Sequence, residues 1–347
     1  MKKFTAFALA LVMAMGLLAG CGSPAPAAST PAPGGSAPAS APEAQGPAFP
    51  EKGKNINMIV GYSAGGSTDI FARLVAKYVE QKWGCTVVVQ NVTGGSGAVG
   101  FQQCLDSAPD GYTVTISNGA SLTLSESGNY DWSYKDFDNL AKIIDEDELL
   151  CVKADAPYND LNEFVEYAKA NPGKMTVGFA GLGGFTHLAA AKFIHDMGVE
   201  VNNIGYDSGS EAVTAVLGGF VDFCQQQPAE TASTLESGDL KALAIMSTER
   251  HPSELLANVP TAKEQGVDFL VAQWRGISAP KGLPAEARAA WETCLAEIAA
   301  DPAFQAEVES TLLSRVNCVT GQEFEDWMDS EAAWIGPLMD ELGLKAS

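Results

Sequence analysis

The chain has 347 residues, with 43 acidic against 21 basic side chains and a formal net charge of −22 at pH 7. That excess of acid excludes nucleic-acid binding and docking on anionic membrane surfaces, both of which need a basic face. It leaves room for a small anionic ligand, because backbone amides bind one locally whatever the net charge.

The first element in chain order is a delivery segment. Lys2 and Lys3 precede an apolar run from Phe4 to Leu18, short for a bilayer span, which closes on Leu18-Ala19-Gly20-Cys21. This ending resembles the bacterial lipobox, so residues 1–21 are expected to be a lipoprotein signal peptide and Cys21 the lipidated residue. From Gly22 to Pro50 the composition collapses to Ala, Pro, Ser and Gly. Such a segment cannot bury enough apolar surface to offset its ordering entropy, and a disordered tether is expected over 22–50. Residues 51–347 form the body, long enough for two domains and free of any further apolar run of membrane-spanning length.

The body opens with Ile56-Asn57-Met58-Ile59-Val60, which reads as a buried strand. Gly61-Tyr62-Ser63-Ala64-Gly65-Gly66-Ser67-Thr68-Asp69 follows, and then Ile70, Phe71, Leu74, Val75 and Tyr78 recur at helical spacing. A glycine pair at a strand-to-helix turn lets the backbone approach a ligand, with the first helical N–H groups at the positive end of the dipole. Such an end holds an anion without a charged side chain. No lysine follows the glycines, so this is not a nucleotide-binding P-loop, and an ordinary tight turn capped by Ser67 or Thr68 stays open. A second strand at 86–89, the turn Thr93-Gly94-Gly95-Ser96-Gly97, a helix over 98–106 and a strand over 112–116 complete a parallel α/β unit.

The pattern then restarts. A helix over 160–170 leads to a strand at 175–179 and the turn Ala180-Gly181-Leu182-Gly183-Gly184-Phe185-Thr186-His187. A helix over 188–197, strand 201–206, helix 211–217 and strands 220–225 and 240–247 follow. After Trp274-Arg275-Gly276 the chain reads as largely helical (284–300, 302–313, 321–342) and is expected to pack back on the first unit. Two such units facing each other place their glycine turns across a shared cleft.

Few residues suggest chemistry beyond binding. With three histidines in the chain and no carboxylate beside His187, a metal site is not expected. His187 otherwise reads as a turn residue with a local backbone partner, and Asp69 as a first-turn acid or an anchor for its own loop. Gln225-Gln226-Gln227 is either a set of cleft-facing amides or a plain loop before Pro228, and Trp274 a core aromatic. Asp145-Glu146-Asp147-Glu148 lacks the spacing of a calcium loop and reads as a solvated turn. Cys85, Cys104, Cys151, Cys224, Cys294 and Cys318 include no C-x-x-C pair. A Cys85–Cys104 bridge and two buried thiols both remain open. No base–nucleophile pair is displayed, so neither an enzyme nor a cofactor is expected.

In order and spacing, the motifs resemble the substrate-binding receptors of tripartite tricarboxylate transporters, the Bug proteins. The matching pieces are Val60 to Arg73, Val89 to Gly97, Pro109-Asp110-Gly111-Tyr112-Thr113 and Gly181 to Ala189. Leu217-Gly218-Gly219-Phe220-Val221-Asp222, Asn258-Val259-Pro260-Thr261 and Trp274-Arg275-Gly276 complete the set. The resemblance implies an α/β two-domain type II periplasmic-binding-protein fold (a Venus flytrap), each domain a mostly parallel sheet flanked by helices. Domain 1 would be 51–150 plus 272–347, and domain 2 would be 151–271. It implies a small organic carboxylate held by two facing loops. The first supplies Tyr62, Ser63, Gly65, Gly66, Ser67, Thr68 and Asp69, the second Gly181, Gly183, Gly184, Phe185, Thr186 and His187. Tyr206, Asp207 and Gln226 are expected nearby. It further implies a monomer anchored outside the cell membrane by its lipid and delivering to membrane permease subunits; a sensor docking on a signalling partner is the alternative. Gly61, Ala64, Asp207-Ser208 and Gln226 depart from the family pattern. Asp207 near the site would oppose a highly charged anion, so a mono- or dicarboxylate is expected in preference to citrate.

Overall fold

A computed structural model of the protein describes residues 49–346; the signal segment with Cys21 and nearly all of the tether lie outside the described residues. The first strand, β1 (Ile56–Val60), is almost wholly buried and leads through the glycine loop into α1 (Ser67–Trp83). Phe71, Ala72, Leu74, Val75, Tyr78 and Val79 form the inner face of α1, at the spacing of one helix face. β2 (Val87–Asn91), α2 (Ala98–Leu105) and β3 (Thr113–Asn118) follow, with β1 pairing in parallel to both β2 and β3. α3 (Gly119–Glu126) starts directly from β3, because the Asn118 side chain accepts the Ala120 N–H and caps the helix. Next comes β4 (Phe137–Asp147), and then β5 (Leu149–Lys153), which belongs to a different sheet. Glu148 alone separates the two strands.

The second sheet is assembled from α4 (Leu161–Ala170), β6 (Met175–Ala180), α5 (Phe185–Met197), β7 (Val201–Tyr206), α6 (Gly209–Leu217), β8 (Phe223–Gln226), α7 (Pro228–Glu236) and β9 (Leu240–Ile245). Its strand order is β7-β6-β8-β5-β9, with β5 antiparallel to both neighbours. The chain returns to the first sheet through β10 (Ala272–Pro280), inserted antiparallel between β3 and β4. α8 (Ala285–Ala299), α9 (Pro302–Leu312), β11 (Arg315–Thr320) and α10 (Gly321–Glu341) complete it, giving the order β11-β4-β10-β3-β1-β2. The expected α/β architecture of two mostly parallel sheets is present: four strands run one way in each. The antiparallel strands are those that carry the chain between sheets, β5 and β10, and the edge strand β11. α8 and α10 pack on β4, as expected for a C-terminal segment that folds back on the first unit.

Residues 315–320, left between two expected helices, form an edge strand: Leu313 at φ +50° ends α9, and β4 offers a free edge on which the next segment pairs. Two sequence expectations are corrected here. Pro228 opens α7 at its first turn, where a missing N–H costs nothing, so the glutamines do not precede a plain loop. The acidic run 145–148 is not a solvated turn. Asp145 to Asp147 end β4, opposite Trp274, Gln273 and Ala272 of β10, and Glu146 and Glu148 are fully buried. The strand persists through the acids because cations compensate them, two from other segments and one from β4 itself. Arg275 holds Glu146 at 2.5 Å, Arg315 holds Asp147 at 2.8 Å and Lys142 holds Asp145 at 2.5 Å. All six body cysteines are free thiols, with Cys104, Cys151, Cys224 and Cys294 buried and Cys85 and Cys318 half-buried.

Candidate functional site

Between the two sheets lies a narrow cleft, partly open to solvent, with about 20 Å³ of free space. Five helices start at its wall. α1 contributes Gly66 and Thr68, α3 its cap Asn118, α5 Phe185 and Thr186, α6 Ser208 and Gly209, and α7 Gln227 and Glu230. Each start leaves backbone N–H groups without helical partners and adds a partial positive charge, so the convergence suits an anion. Gln273 and Arg275 of β10 complete the wall together with Tyr62 and Ala180.

The first glycine loop is fixed mainly by its own residues. Asp69 accepts the Gly65 N–H at 3.0 Å, takes Arg73 at 2.8 Å and 3.0 Å, and is held by Asn91 Nδ2 at 3.0 Å. Burial opposes ionisation of Asp69, but Arg73, the Gly65 amide and Asn91 outweigh it and keep the carboxyl below its ordinary range. Asp69 is thus engaged as the anchor of its loop. Tyr62 lines the cleft and donates its O–H to Ser96 O at 3.0 Å. Thr68 Oγ1 accepts from Arg275 Nη1 at 2.6 Å. Ser67 donates Oγ to Glu146 at 2.5 Å and its backbone N–H to Glu230 Oε1 at 3.0 Å.

The second loop closes on the first lobe. Gly181 adopts φ +80° and touches Ser96; a Cβ there would stand 2.2 Å from Ser96 Oγ, which itself donates to Leu182 O at 2.5 Å. Gly183 donates its N–H to His187 Nδ1 at 3.1 Å, and the imidazole stacks on Phe179 with centroids 4.5 Å apart. Burial pushes His187 down to about 4, so the ring is neutral and braces the loop. Thr186 Oγ1 ties back to Ala180, accepting its N–H at 3.1 Å. Gly184, the cap of α5, packs on Ser96. Ser63 reaches the second lobe, donating its N–H to Asp207 O at 3.3 Å and its Oγ to Glu211 at 3.0 Å. Tyr206 and Asp207 line a separate outer recess with Gly181 and Ser96.

Sequence reasoning brought the two loops together but missed the charges beneath them. Gln226 lies fully buried with its amide unpartnered, whereas its neighbour Gln227 lines the cleft and donates Nε2 to Glu148 at 3.1 Å. Burial raises the carboxyls of Glu146, Glu148 and Glu230; Glu148 is pushed up to about 8 and Glu230 to about 7. Repulsion among the three adds to the rise at Glu148 and Glu230, and Arg275 works against it. Glu230 left one faint signal, an acid in the first turn of a helix that opens with proline directly after a strand. Glu146 left none. Among the described residues no group of three or more His, Cys, Asp or Glu is arranged to hold a metal ion.

Comparison with known proteins agrees with this geometry. The family described as "Tripartite tricarboxylate transporter family receptor" matches residues 71–344. The UPF0065 protein in the gbd 5′ region of Cupriavidus necator is 35% identical over 241 residues, spanning 69% of this chain and 72% of that protein. Protein BugT of Bordetella pertussis is 34% identical over 232 residues, spanning 65% and 71%. Among solved structures, the periplasmic binding protein BugD superposes with a TM-score of 0.78 at 30% identity, covering 84% of this chain and 99% of its own. With the fold, the paired glycine loops and these relatives in agreement, the chain belongs to the tripartite tricarboxylate transporter receptor family, a family of solute-binding receptors and not of enzymes.

Proposed function

We propose that the protein is a lipid-anchored extracytoplasmic receptor that captures a small organic carboxylate between its two lobes and hands it to the membrane permease of a tripartite transporter. The observation that carries this reading is the convergence of five helix N-termini and Arg275 on one cleft spanned by the two glycine loops. Two more distant relatives of the same fold, Rpa4515 of R. palustris with adipate (TM-score 0.78, 23% identity) and MatC of Rhodopseudomonas palustris with bound malate (0.75, 24%), lend support by analogy. BugD's description as periplasmic supports an extracytoplasmic location. The lobes are taken as 51–150 plus 272–347 and 151–271, the first sheet's chain crossing to the second at Glu148, two residues before that boundary, and the body works as a monomer hinged where the chain crosses between them.

Calorimetric titration of the purified protein with a panel of mono-, di- and tricarboxylates tests this. Binding within the panel, with citrate among the weak members, is expected; binding of citrate alone overturns the preference for lower charge, and a panel without any binder overturns the carboxylate reading. The anchor is tested separately: Cys21→Ala is expected to release the protein from the membrane fraction.

A further inference from the structure

Resting on the carboxylate reading, a second feature of the same cleft shows what a ligand has to move. Glu230, in the first turn of α7, accepts the Ser67 N–H of α1 through Oε1 at 3.0 Å, across 163 positions of chain and from one lobe to the other. Gly66, the cap of α1, has no side chain to serve that helix, so its N-terminus is capped by a carboxylate of the opposite lobe. The other oxygen, Oε2, lies against the start of α6, where a Cβ on Gly209 would stand 2.1 Å from it. A carboxylate of the protein thus sits between the N-termini of two helices, one from each lobe. That is the place in which such helix ends hold an anion.

Little else fits beside it. The cleft keeps about 20 Å³ free, room for about one water molecule and too little for a second carboxylate. Around Glu230 the lobes are clasped: Ser210 Oγ donates to Gly65 O at 3.1 Å, and Ser63 reaches Asp207 and Glu211. The clasp leaves Glu230 only half satisfied. Oε2 has no hydrogen-bond partner and is shut from solvent, although the residue as a whole is only part-buried. Burial raises the carboxyl, and Glu146 and Glu148 repel it, whereas the Ser67 amide and Arg275 draw it down. Arg275 is committed elsewhere, with Nε on Glu146 at 2.5 Å and Nη1 on Thr68 at 2.6 Å. With one oxygen held and the other lacking a donor, the contact closes the lobes yet is open to exchange.

We infer that Glu230 is an internal competitor for the anion site: its carboxylate latches the two lobes together through the Ser67 amide, and a ligand carboxylate binds by displacing it. Displacement passes the Ser67 N–H to the ligand and releases Oε2 from its enclosure. The latch lowers the apparent affinity by the fraction of molecules in which it is closed, and it keeps the receptor shut between ligands. The rival arrangement is a Glu230 that stays in place and receives the ligand directly. The two respond oppositely to removal of the carboxylate.

Two measurements on the purified protein test this, and one of them needs no ligand. Hydrogen exchange of the ligand-free protein, read by mass spectrometry, is expected to quicken by about fivefold or more over residues 63–69 and 207–211 in Glu230→Ala, with the rest of the body unchanged. Calorimetric titration with whichever carboxylate of the panel binds is expected to show Glu230→Ala binding about threefold to tenfold more tightly than the wild type. Glu230→Gln, whose amide oxygen still accepts from Ser67 but carries no charge, is expected to fall in between. Melting temperatures report whether the variants fold; should Glu230→Ala fail to, Glu230→Gln carries both measurements with a smaller change in the same direction. Unchanged exchange at both segments overturns the latch, whatever binds. Affinity unchanged or weakened by removal of the carboxylate overturns the competition and leaves the carboxylate reading standing. A panel without any binder overturns the carboxylate reading instead, and exchange alone then decides the latch.

Discussion

Arg275 and Glu146 stand 2.5 Å apart with almost no exposure on either side chain, so neither can lose its partner without stranding a charge in the interior. Breaking such a pair from one side costs about 3–5 kcal/mol, whereas replacing both members costs far less. Arg275→Met is expected to lower the unfolding free energy by about that amount in urea titrations, with Glu146→Gln in the same chain recovering part of it. A loss below about 1 kcal/mol would mean that water reaches the stranded carboxylate. The buried glutamates also set a pH dependence. Glu148 and Glu230 are raised from the ordinary 4.5 to about 8 and about 7, so the folded protein holds protons that the unfolded chain has released. Their contribution to stability is complete below about pH 4.5 and is lost as pH climbs through 7 and 8. Melting curves of the ligand-free protein from pH 5 to 8.5 are expected to shift downward, and Glu148→Gln to flatten the trend. An upward shift would show those carboxyls ionised in the folded state.

At the scale of elements, the glycine turns are built for closeness. Gly181 combines φ +80° with direct contact to Ser96 of the opposite lobe, so an added Cβ is disfavoured by both backbone and space. A left-handed non-glycine residue costs about 1–2 kcal/mol before any clash. Gly181→Ala is expected to weaken ligand binding by about tenfold or more, because the clash falls on the contact between the lobes, while the melting temperature drops only modestly. Equal affinity for the variant, measured by titration with any ligand found to bind, would show that this contact plays no part in the bound state. The helices that feed the cleft share one construction: a strand ends, the chain turns on glycine or a polar cap, and the helix starts at the cleft wall. Ser208 caps α6 by accepting the Glu211 N–H, and Asn118 caps α3 in the same way.

At the scale of the whole molecule, the chain passes between sheets at Glu148 and again between β9 and β10. The acidic crossing residue sits behind the cleft and accepts from Gln227 at 3.1 Å, so the proposed binding site and the crossing between sheets share one buried polar layer. The six thiols lie apart from that layer or deep within it. Burial raises Cys151 to about 12 and Cys318 to about 11, far from thiolate chemistry at neutral pH. Alkylation of the denatured, unreduced protein is expected to modify all six body cysteines, and of the native protein to modify Cys85 fastest. Fewer than six modified on denaturation would reveal a bridge.

The sequence by itself determined the elements whose signal is local: β1 and α1, the 175–180 strand, the helices after Pro284 and both glycine turns. Periodicity and turn chemistry act within a few residues, so they are visible without a fold. It also determined which loops would face each other, since glycine turns at strand ends follow from α/β topology. Only the tertiary structure decided that 145–148 is buried, that β11 is a strand, and that Glu230 enters the cleft. Each depends on a partner far along the chain: Glu146 meets Ser67 across 79 positions and Ser67 meets Glu230 across 163. A run of acids reads as solvated until the cation that neutralises it is found, and compensation of buried charge is a property of space and not of neighbouring residues.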